Sequence, residues 1–232
     1  MYCLDRLPEP DNEWEVAQQR VRTEFGGKIL YKQVDVTSTV SLDSVIGDIA
    51  AVDSRLDGLI AAAGIQQITP AVDYTVEDAR KMMDVNFTGV MMTATACVRQ
   101  MFKYKIQGSM VLIASMSGLI ANKGLLSPAY NCSKAATTQL ARNLAMEWSK
   151  IREDGTGGIR VNSLSPGNIL TPMILKNFEE VPGLKEKWEK ENMMGRLSTP
   201  EEYKGAALFL LSSASSFMTG SNLIIDGGYT AW

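Results

Sequence analysis

The sequence predicts an α/β fold in one domain, built on a doubly wound sheet of parallel strands. Segments with strand character alternate with segments of helical spacing along all 232 residues, which is the pattern of repeated β-α-β units. Two strand segments, LDGLIAAAG (56–64) and SMVLIAS (109–115), are nearly unbroken apolar runs, as expected of strands covered on both faces. No repeat, low-complexity tract or linker divides the chain, so a single domain over residues 1–232 is predicted.

The order of elements follows from local signals in the chain. Apolar and β-branched runs mark strands, whereas a capping Thr, an early Pro or a closing Gly marks the ends of helices. Gly26-Gly27 closes the first helical segment, and Pro128 lies in the first turn of a long later one. In chain order the predicted elements are a strand ending near Asp5, a helix over 11–25, a strand over 29–36, a helix over 41–55, a strand over 56–64, a helical stretch over 76–104 in one or two pieces, a strand over 109–115, a helix over 128–151, a strand over 158–167, a helix from Thr199 to about Leu211 and a strand over 222–228.

Composition limits the possible partners. Hydrophobic residues make up 45% of the chain and charged residues 21%, with a formal net charge of −3, as in a typical globular protein. Without a basic patch, nucleic acid and anionic membrane are poor partners, and no apolar run approaches the ~20 residues of a membrane span. The widely spaced Cys3, Cys97 and Cys132 predict neither disulfides nor a zinc site, which favours a reducing compartment, the cytoplasm.

The chain contains no histidine. This excludes Ser-His-Asp and Cys-His mechanisms and most catalytic zinc sites, and we predict no metal centre. Proton transfer near neutral pH must therefore use a tyrosine, a lysine, a cysteine or a carboxyl group with a displaced pKa.

One pair of residues meets this requirement. In the predicted helix over 128–151, Tyr130 stands four residues before Lys134, and residues at this spacing share a helix face. A nearby ammonium stabilises the phenolate and lowers a phenol pKa that starts near ~10. Tyr130 is therefore a candidate general acid or base. The alternative is an ordinary pair on an amphipathic helix, with the lysine stem lying along apolar surface.

Residues at the ends of predicted strands are further candidates, because ligands of parallel sheets bind at the carboxyl ends of the strands. Ser115 follows a buried strand and could donate a hydrogen bond to a substrate oxygen. The small residues of AAAG (61–64) would let a ring or ribose lie against the backbone. SPGNILTPM (165–173) contributes a Pro-Gly turn and Thr171. Each of these segments also has an ordinary explanation as turn chemistry.

Asn86 lies inside the helical stretch over 76–104. Asparagine is a poor helix former because its side chain competes for backbone hydrogen bonds. It could kink the helix locally and hold a water molecule, or it could form a hydrogen bond between two helices.

Taken together, these residues resemble the short-chain dehydrogenase/reductase family over nearly the whole chain. No single motif is specific, but the ordered set is. It consists of Asp35-Val36, Ala63-Gly64, Asn86, Ser115, Tyr130 with Lys134, Pro166-Gly167, Thr171 and the terminal IIDGGYTAW. The resemblance implies a Rossmann-like fold and an NAD(P)-dependent oxidoreductase that interconverts a secondary alcohol and a ketone.

The resemblance also implies a role for each residue. Tyr130 would be the general acid in carbonyl reduction and the base in alcohol oxidation, while Lys134 would lower its pKa and bind the nicotinamide ribose. Ser115 would orient the substrate oxygen, and Asn86 would hold a water in the proton relay. Asp35 and Val36 would bracket the adenine. The full implied cofactor set is Asp5, Asp35, Val36, Ala62, Ala63, Gly64, Tyr130, Lys134, Pro166, Gly167, Ile169 and Thr171, of which Ile169 and Thr171 contact the nicotinamide carboxamide.

The sequence departs from the family pattern at two places. The family usually has Asn-Asn-Ala-Gly where this chain has AAAG, so Ala61 lacks the asparagine contact on the adenosine side. The family serine usually stands thirteen residues before the tyrosine, which would match Ser117. The strand-end motif SxxG matches Ser115 instead. We prefer Ser115, because the strand end fixes its position while the following loop can vary in length.

The beginning of the chain is also unusual for the family. Asp5 would end the second strand of the fold, after a first strand, a Gly-rich turn and a helix that receives the pyrophosphate. Before residue 60 the only glycines are Gly26, Gly27, Gly47 and Gly58, which form no G-x-x-x-G-x-G motif. We therefore expect the sequence to be an incomplete version of a longer enzyme. If the short form is the product, weak dinucleotide binding and poor stability are expected.

The sequence says less about which cofactor and which substrate the protein uses than about its family. Asp5 favours NAD over NADP because a carboxylate bonds ribose hydroxyls and repels a 2′-phosphate, although Arg6 beside it could accept that phosphate. The tail after Glu191 resembles fungal polyol and ketose reductases, such as arabinitol dehydrogenase or sorbose reductase. Fungal secondary-metabolite tailoring reductases share this tail, and the apolar segment over 172–195 keeps that alternative open. A non-catalytic relative acting as a binding or assembly partner is a third possibility, against which the Tyr130–Lys134 pair argues.

The family commonly forms dimers and tetramers through its long helices. Here the helices over 84–104 and 129–151 are long enough for such contacts. Apolar residues on the first of them are Val90, Met91, Met92 and Val98. We expect a homodimer or homotetramer that acts on a small-molecule alcohol or ketone.

Overall fold

The computed structural model of the protein describes all residues from Met1 to Trp232. It contains six strands, all paired in parallel, in two sheets that are not hydrogen-bonded to each other. The smaller sheet pairs β1 (Tyr2–Asp5) with β2 (Leu30–Gln33), and the larger sheet has the order β3 (Gly58–Ala61), β4 (Ser109–Ile113), β5 (Arg160–Pro166) and β6 (Asn222–Ile225). The predicted parallel α/β fold is confirmed, with the strands in the expected order.

The helices also follow the predicted order. They are α1 (Trp14–Phe25), α2 (Thr39–Asp53), α3 (Val76–Met83), α4 (Val90–Lys103), α5 (Pro128–Trp148), α6 (Pro172–Glu180), α7 (Leu184–Glu191) and α8 (Lys204–Leu211). The helix predicted from Thr199 begins with a 3₁₀ turn over Pro200–Tyr203 before α8. The segment over 172–195 folds as the separate helices α6 and α7.

The helical stretch predicted over 76–104 is interrupted where the asparagine suggested it would be. Residues Asp84–Gly89 form a π-helical turn between α3 and α4. A wider turn of this kind displaces the backbone hydrogen-bond register by one residue. Asn86 lies at this turn and is fully buried, so the local disruption and the poor helix former coincide.

The larger sheet brings several loops to one edge. Its strands run in parallel with Cα partners Ala61 and Leu112, Ile113 and Leu164, and Pro166 and Ile225. The carboxyl ends of β3, β4 and β5 therefore lie side by side, and the loops after them share one edge of the sheet. β4 and β5 are almost entirely buried, which gives this edge a rigid base.

Two clusters of buried residues matter for the site. The main core contains 19 residues from β3, β4 and β5 and from the helices packed on them, chiefly α2, α4 and α5. A smaller cluster, here called the lid core, joins α7 to the loop after β4 and to the C-terminal segment. It consists of Met116, Leu125, Leu184, Trp188, Leu197 and Tyr229. The lid core holds α6 and α7 over the carboxyl edge of the sheet.

The smaller sheet is joined to the rest of the protein by side-chain packing rather than by backbone hydrogen bonds to the larger sheet. Val34 lies in the main core and Leu4 packs against it, but β1 and β3 do not pair. None of the α1 residues is buried. The family resemblance places a strand between those ending at Asp5 and Ala61, and this is where the two sheets are separate.

Two of the apolar residues expected on a subunit-facing surface of α4 are internal. Val90 is 2% exposed and Val98 is 4% exposed, and both belong to the main core. Helical spacing accounts for this, because Val90, Ala94, Cys97 and Met101 recur at i, i+4, i+7 and i+11 and form a buried stripe that faces the core. No helix of the structure is long and apolar enough to cross a lipid bilayer.

Candidate active site

A cavity of about 310 Å³ opens at the carboxyl ends of β3, β4 and β5. Nine of the residues predicted from the sequence line it. They are Ala62, Gly64, Ser115, Tyr130, Lys134, Pro166, Gly167, Ile169 and Thr171. They come from four separate stretches of sequence, and parallel strand topology brings them together.

Five other predicted residues do not line this cavity: Asp5, Asp35, Val36, Ala63 and Asn86. Asp5 is the last residue of β1, Asp35 lies two residues after β2, and both are exposed. The Oδ1 atom of Asp35 accepts hydrogen bonds from the Thr37 N–H and hydroxyl, which hold the pKa of this carboxyl below its usual range. Asp5 and Asp35 are therefore a second pair of polar positions, separate from the nine residues in the cavity.

Tyr130 and Lys134 both face the cavity from the first turns of α5. The Lys134 Nζ lies 5.8 Å from the centre of the Tyr130 ring, and it donates a hydrogen bond to the Ile113 carbonyl at 2.9 Å. Lys134 is only 4% exposed. The shared face predicted from the i, i+4 spacing is therefore present, and the lysine is fixed against the end of β4.

The acidity of the pair differs from the expectation. Burial raises the pKa of Tyr130, and the hydrogen bond with the Ser115 hydroxyl lowers it by a smaller amount. Burial lowers the pKa of Lys134 to about 8. The prediction that the lysine leaves the phenol with a depressed pKa is therefore wrong for the protein by itself, because removal of the phenolate from water outweighs its polar neighbours.

The geometry distinguishes the two candidate serines. The Ser115 side chain is near enough to the Tyr130 phenol to lower its pKa, and its hydroxyl accepts a hydrogen bond from the Ser117 N–H at 3.1 Å. The Ser117 hydroxyl instead accepts a hydrogen bond from the Asn122 side chain at 2.9 Å. Both serines line the cavity, but only Ser115 is the neighbour of the phenol.

Gly118 sets the distance between the serine turn and α5. A Cβ built on this residue would lie 2.6 Å from the Ala135 nitrogen and 2.7 Å from the Lys134 carbonyl carbon. Backbone atoms cannot move aside as a flexible side chain would. The turn after β4 therefore touches the backbone of α5 directly, and this contact places Ser115 beside Tyr130.

We expect Gly118→Ala to destabilise the protein by about 1–3 kcal/mol, since it forces two backbone segments apart. Thermal unfolding monitored by circular dichroism measures the change. Gly205→Ala is a matched control, because nothing lies within 4 Å of a Cβ at Gly205 in α8. There the helix propensity of alanine should stabilise by up to ~1 kcal/mol. Equal melting temperatures for the two variants would contradict the contact described here.

Asn86 uses its side chain to join the end of β3 to the helices. Its Oδ1 accepts from the Ile65 N–H at 2.8 Å, and its Nδ2 donates to the Ile65 carbonyl at 2.9 Å and the Ser133 hydroxyl at 3.0 Å. Its backbone carbonyl accepts from the Thr137 hydroxyl at 3.2 Å. The hydrogen bond between helices, one of the two expected roles, is present.

Sequence reasoning missed several residues that line the cavity. Three carboxamides, Gln66, Asn122 and Asn168, face it together with an apolar wall formed by Leu125, Met173, Ile174 and Trp188. The 172–195 segment did indicate the apolar wall. The carboxamides lie in loops, and no local pattern distinguishes them from solvated loop residues. Among all the lining residues, Lys134 is the only one with a charged side chain.

Comparison with known proteins decides the family. A family model described as enoyl-(acyl carrier protein) reductase matches residues 10–230. This chain is a short-chain dehydrogenase/reductase. It is therefore an oxidoreductase enzyme by family, as the ordered motifs predicted.

Relatives of this short-chain dehydrogenase/reductase include sugar-alcohol enzymes. A short-chain dehydrogenase/reductase of Aspergillus versicolor is 38% identical over 99% of this chain and 78% of its own length. A ribulose-forming D-arabinitol 2-dehydrogenase of Candida albicans is 39% identical over 81% of this chain and 69% of its own. An NADH-dependent L-xylulose reductase of Ambrosiozyma monospora is 38% identical over 85% of this chain and 72% of its own.

Solved structures of the family superpose on the whole of this chain. A short-chain type enzyme from Mycobacterium marinum has a TM-score of 0.84 and 32% identity, covering 100% of this chain and 85% of that one. A gluconate 5-dehydrogenase from Burkholderia cenocepacia, solved with NADP and tartrate, has a TM-score of 0.84 and 27% identity over the same shares. The Rossmann-like architecture is thus shared with enzymes that act on hydroxylated small molecules.

Proposed function

We propose that this protein interconverts a secondary alcohol and a ketone by NAD(P)-dependent hydride transfer, with a polyol or ketose as substrate and residues 1–232 acting as one domain. The observation that carries the proposal is the convergence of Tyr130, Ser115 and Lys134 on one cavity at the carboxyl edge of the sheet. A tyrosine acid or base explains how a chain without histidine can move a proton.

The residues around the cavity fit the nicotinamide half of the cofactor that the family implies. Ala62 and Gly64 leave backbone uncovered close to Lys134, whose Nζ would lie 3.5 Å from a Cβ at Gly64. No glycine-rich turn follows β1 or β2, so the family's pyrophosphate contact has no counterpart in these loops.

The chain's own residues handle the substrate oxygen and its proton. The nicotinamide, when bound, supplies or accepts the hydride. In ketone reduction the Tyr130 phenol donates its proton to the forming alkoxide, and the Ser115 hydroxyl stabilises that oxygen by a hydrogen bond. In alcohol oxidation the phenolate accepts the proton instead. The buried ammonium of Lys134, held against the Ile113 carbonyl, favours the phenolate by electrostatic attraction.

The mechanism predicts that kcat depends differently on pH for alcohol oxidation and for ketone reduction. Burial raises the pKa of Tyr130, so the phenol remains protonated at neutral pH and serves reduction there. Alcohol oxidation needs the phenolate and should accelerate as the pH rises. We expect kcat for oxidation to rise between about pH 6 and pH 8, where Lys134 still carries its proton, while kcat for reduction stays level over the same range. An oxidation rate that declines steadily over this range would contradict the role of Tyr130.

The lining of the cavity supports a neutral substrate. Lys134 is the only charged side chain there, and its ammonium is already bonded to the Ile113 carbonyl. A sugar acid or sugar phosphate would be buried without a dedicated cation, which is unfavourable. The neutral carboxamide of Gln66, which lines the cavity, instead suits a hydroxyl group.

A substrate panel tests the proposed function. We expect the purified protein to oxidise or reduce pentitols and ketopentoses in the presence of nicotinamide cofactor, measured by absorbance of the reduced ring at 340 nm. The corresponding sugar acids should give much lower kcat/KM. Activity on the acids but not on the neutral sugars would refute the neutral-substrate proposal. Loss of all activity with either cofactor would favour the non-catalytic alternative.

We propose NAD rather than NADP as the preferred cofactor. Asp5 lies at the carboxyl end of β1, and its Oδ1 is oriented by the Leu7 N–H at 2.9 Å. Arg6, which could accept a 2′-phosphate, lowers the pKa of Asp35 and so is close enough to act on that carboxylate. This supports a net acidic environment for the ribose. Comparing KM for NADH and NADPH tests the preference.

A tailoring reductase acting on a bulkier ketone is the second candidate. The apolar wall formed by Leu125, Met173, Ile174 and Trp188 supports it. Aryl and alicyclic ketones in the same panel distinguish it. For either substrate we propose a cytoplasmic homodimer or homotetramer, and light scattering during gel filtration measures the stoichiometry.

A further inference from the structure

Gln66 connects the cavity to the helix that covers it. Gln66 lies in the loop after β3 and lines the cavity. Its Oε1 accepts a hydrogen bond from the Nδ2 of Asn177 in α6 at 2.8 Å, across 111 positions of sequence. The Gln66 Nε2 donates no hydrogen bond within the protein, and this atom is not buried. One end of this carboxamide is therefore fixed, and the other is available to a ligand.

The hydrogen bond to Gln66 explains why the polar side chain of Asn177 is buried. Asn177 is the only buried residue of α6, at 4% exposure, and Gln66 is the sole hydrogen-bond partner of its side chain. A buried amide without a partner costs free energy. The bond to Gln66 thus attaches α6 to the end of β3 and sets the orientation of the Gln66 carboxamide.

The other carboxamides of the cavity are not equally available. Asn122 donates to the Ser117 hydroxyl at 2.9 Å, and its Oδ1 accepts from the Asn131 side chain at 3.4 Å. The free Nδ2 of Asn168 is buried. Gln66 is the lining carboxamide with an accessible N–H that no protein group uses.

We propose that Gln66 is a specificity-determining residue, which hydrogen-bonds a substrate hydroxyl remote from the reacting carbon, and that Asn177 is its positioning residue. The inference deepens the proposed function and rests on it. A neutral hydroxyl matches a neutral amide, since no compensating charge is needed. A ketone without hydroxyls leaves the Gln66 N–H unpaired after water is expelled, and such an unpaired group is how a polar site rejects an analogue.

The test compares two substrates with one carbon skeleton, the ketopentose D-ribulose and 2-pentanone. Gln66→Leu should lower the ratio of kcat/KM for D-ribulose over 2-pentanone by about tenfold, through KM rather than kcat. Gln67→Leu is the matched control. The Gln67 side chain donates to the Thr69 hydroxyl and does not line the cavity, so its ratio should match that of the parent.

Variants of Asn177 separate positioning from folding. Asn177→Leu should lower the same ratio, and it should have no further effect in the Gln66→Leu background, because both changes remove one oriented donor. Gln66→Leu alone leaves the buried Asn177 side chain without a partner and can unfold the protein. The double variant replaces both partners by apolar groups, so it is expected to keep the fold even in that case.

The outcomes distinguish the inference from the proposed function. An active parent with an unchanged ratio in Gln66→Leu, or in the double variant, overturns the inference alone. Effects of Gln66→Leu and Asn177→Leu that simply add would overturn the positioning role of Asn177. A parent that neither reduces D-ribulose nor binds a pentitol by calorimetry overturns the proposed function and this inference together.

Discussion

Replacement of Tyr130 by phenylalanine is expected to lower kcat by about 10²–10⁴-fold, the range attributed to a positioned general acid or base. The ring remains, so its packing in the first turn of α5 is preserved. The phenol oxygen is lost, and with it the group that the Ser115 hydroxyl engages. Apart from Lys134, no other titratable side chain lines the cavity, so none is available to replace the phenol as the proton donor.

Cofactor binding separates this result from a folding defect. The affinity for NADH, measured by fluorescence, should stay within about threefold in Tyr130→Phe, since the hydroxyl acts on the substrate oxygen. Tyr74→Phe is the control, because the Tyr74 hydroxyl is buried without a hydrogen-bond partner and lies outside the cavity. A Tyr130→Phe enzyme with turnover close to that of the parent would require a different proton donor.

The second large effect is expected at Lys134, where activity and stability should change in opposite directions. Lys134→Met removes the ammonium that favours the Tyr130 phenolate, and we expect kcat to fall by at least about 100-fold. The same change removes a charge that is 4% exposed and bonded only to the Ile113 carbonyl. Methionine fills a similar volume without a charge to desolvate.

The pH dependence of this stability change has a definite sign. Burial lowers the pKa of Lys134 from 10.5 to about 8, so below pH 8 both the folded and the unfolded chain carry the proton and the cost of burying it is fully present. Between about pH 8 and 10.5 only the unfolded chain keeps the proton, and the folded state is progressively relieved of that cost. Up to ~3 kcal/mol is involved.

Denaturant unfolding of the parent and of Lys134→Met measures the difference. At pH 7 the variant should have the larger free energy of unfolding, and its advantage should shrink as the pH rises above 8. Loss of the Ile113 hydrogen bond, which a charged group donates, offsets about 1.5–3 kcal/mol of this gain, so the expected advantage at pH 7 is small. A variant that is less stable than the parent at pH 7 would show that the buried ammonium is better compensated than its single hydrogen bond indicates.

The sequence was sufficient for features that depend on local pattern. Strand and helix order, the Tyr130–Lys134 face and the disruption at Asn86 all follow from period, propensity and spacing. Nine of the residues predicted from the family motifs line one cavity in the structure. The limits of α1 and α5 were less well predicted, because helix ends depend on capping and on tertiary packing.

Other features required the three-dimensional arrangement. The pKa of Tyr130 is raised because tertiary packing buries it, which spacing within one helix does not reveal. The Gln66–Asn177 bond joins residues 111 positions apart, and neither lies in a recognisable motif.

The absence of a hydrogen-bonded ladder between β1 and β3 affects how cooperatively the molecule denatures. Residues 1–38 carry few buried side chains, so this subdomain can open while β4 and β5 remain intact. Trp14 packs edge-to-face against Tyr31, with ring centres 5.7 Å apart. It would then lose its native fluorescence at lower denaturant concentration than Trp148 in the main core. A melting curve that follows only one of these tryptophans would describe only part of the protein.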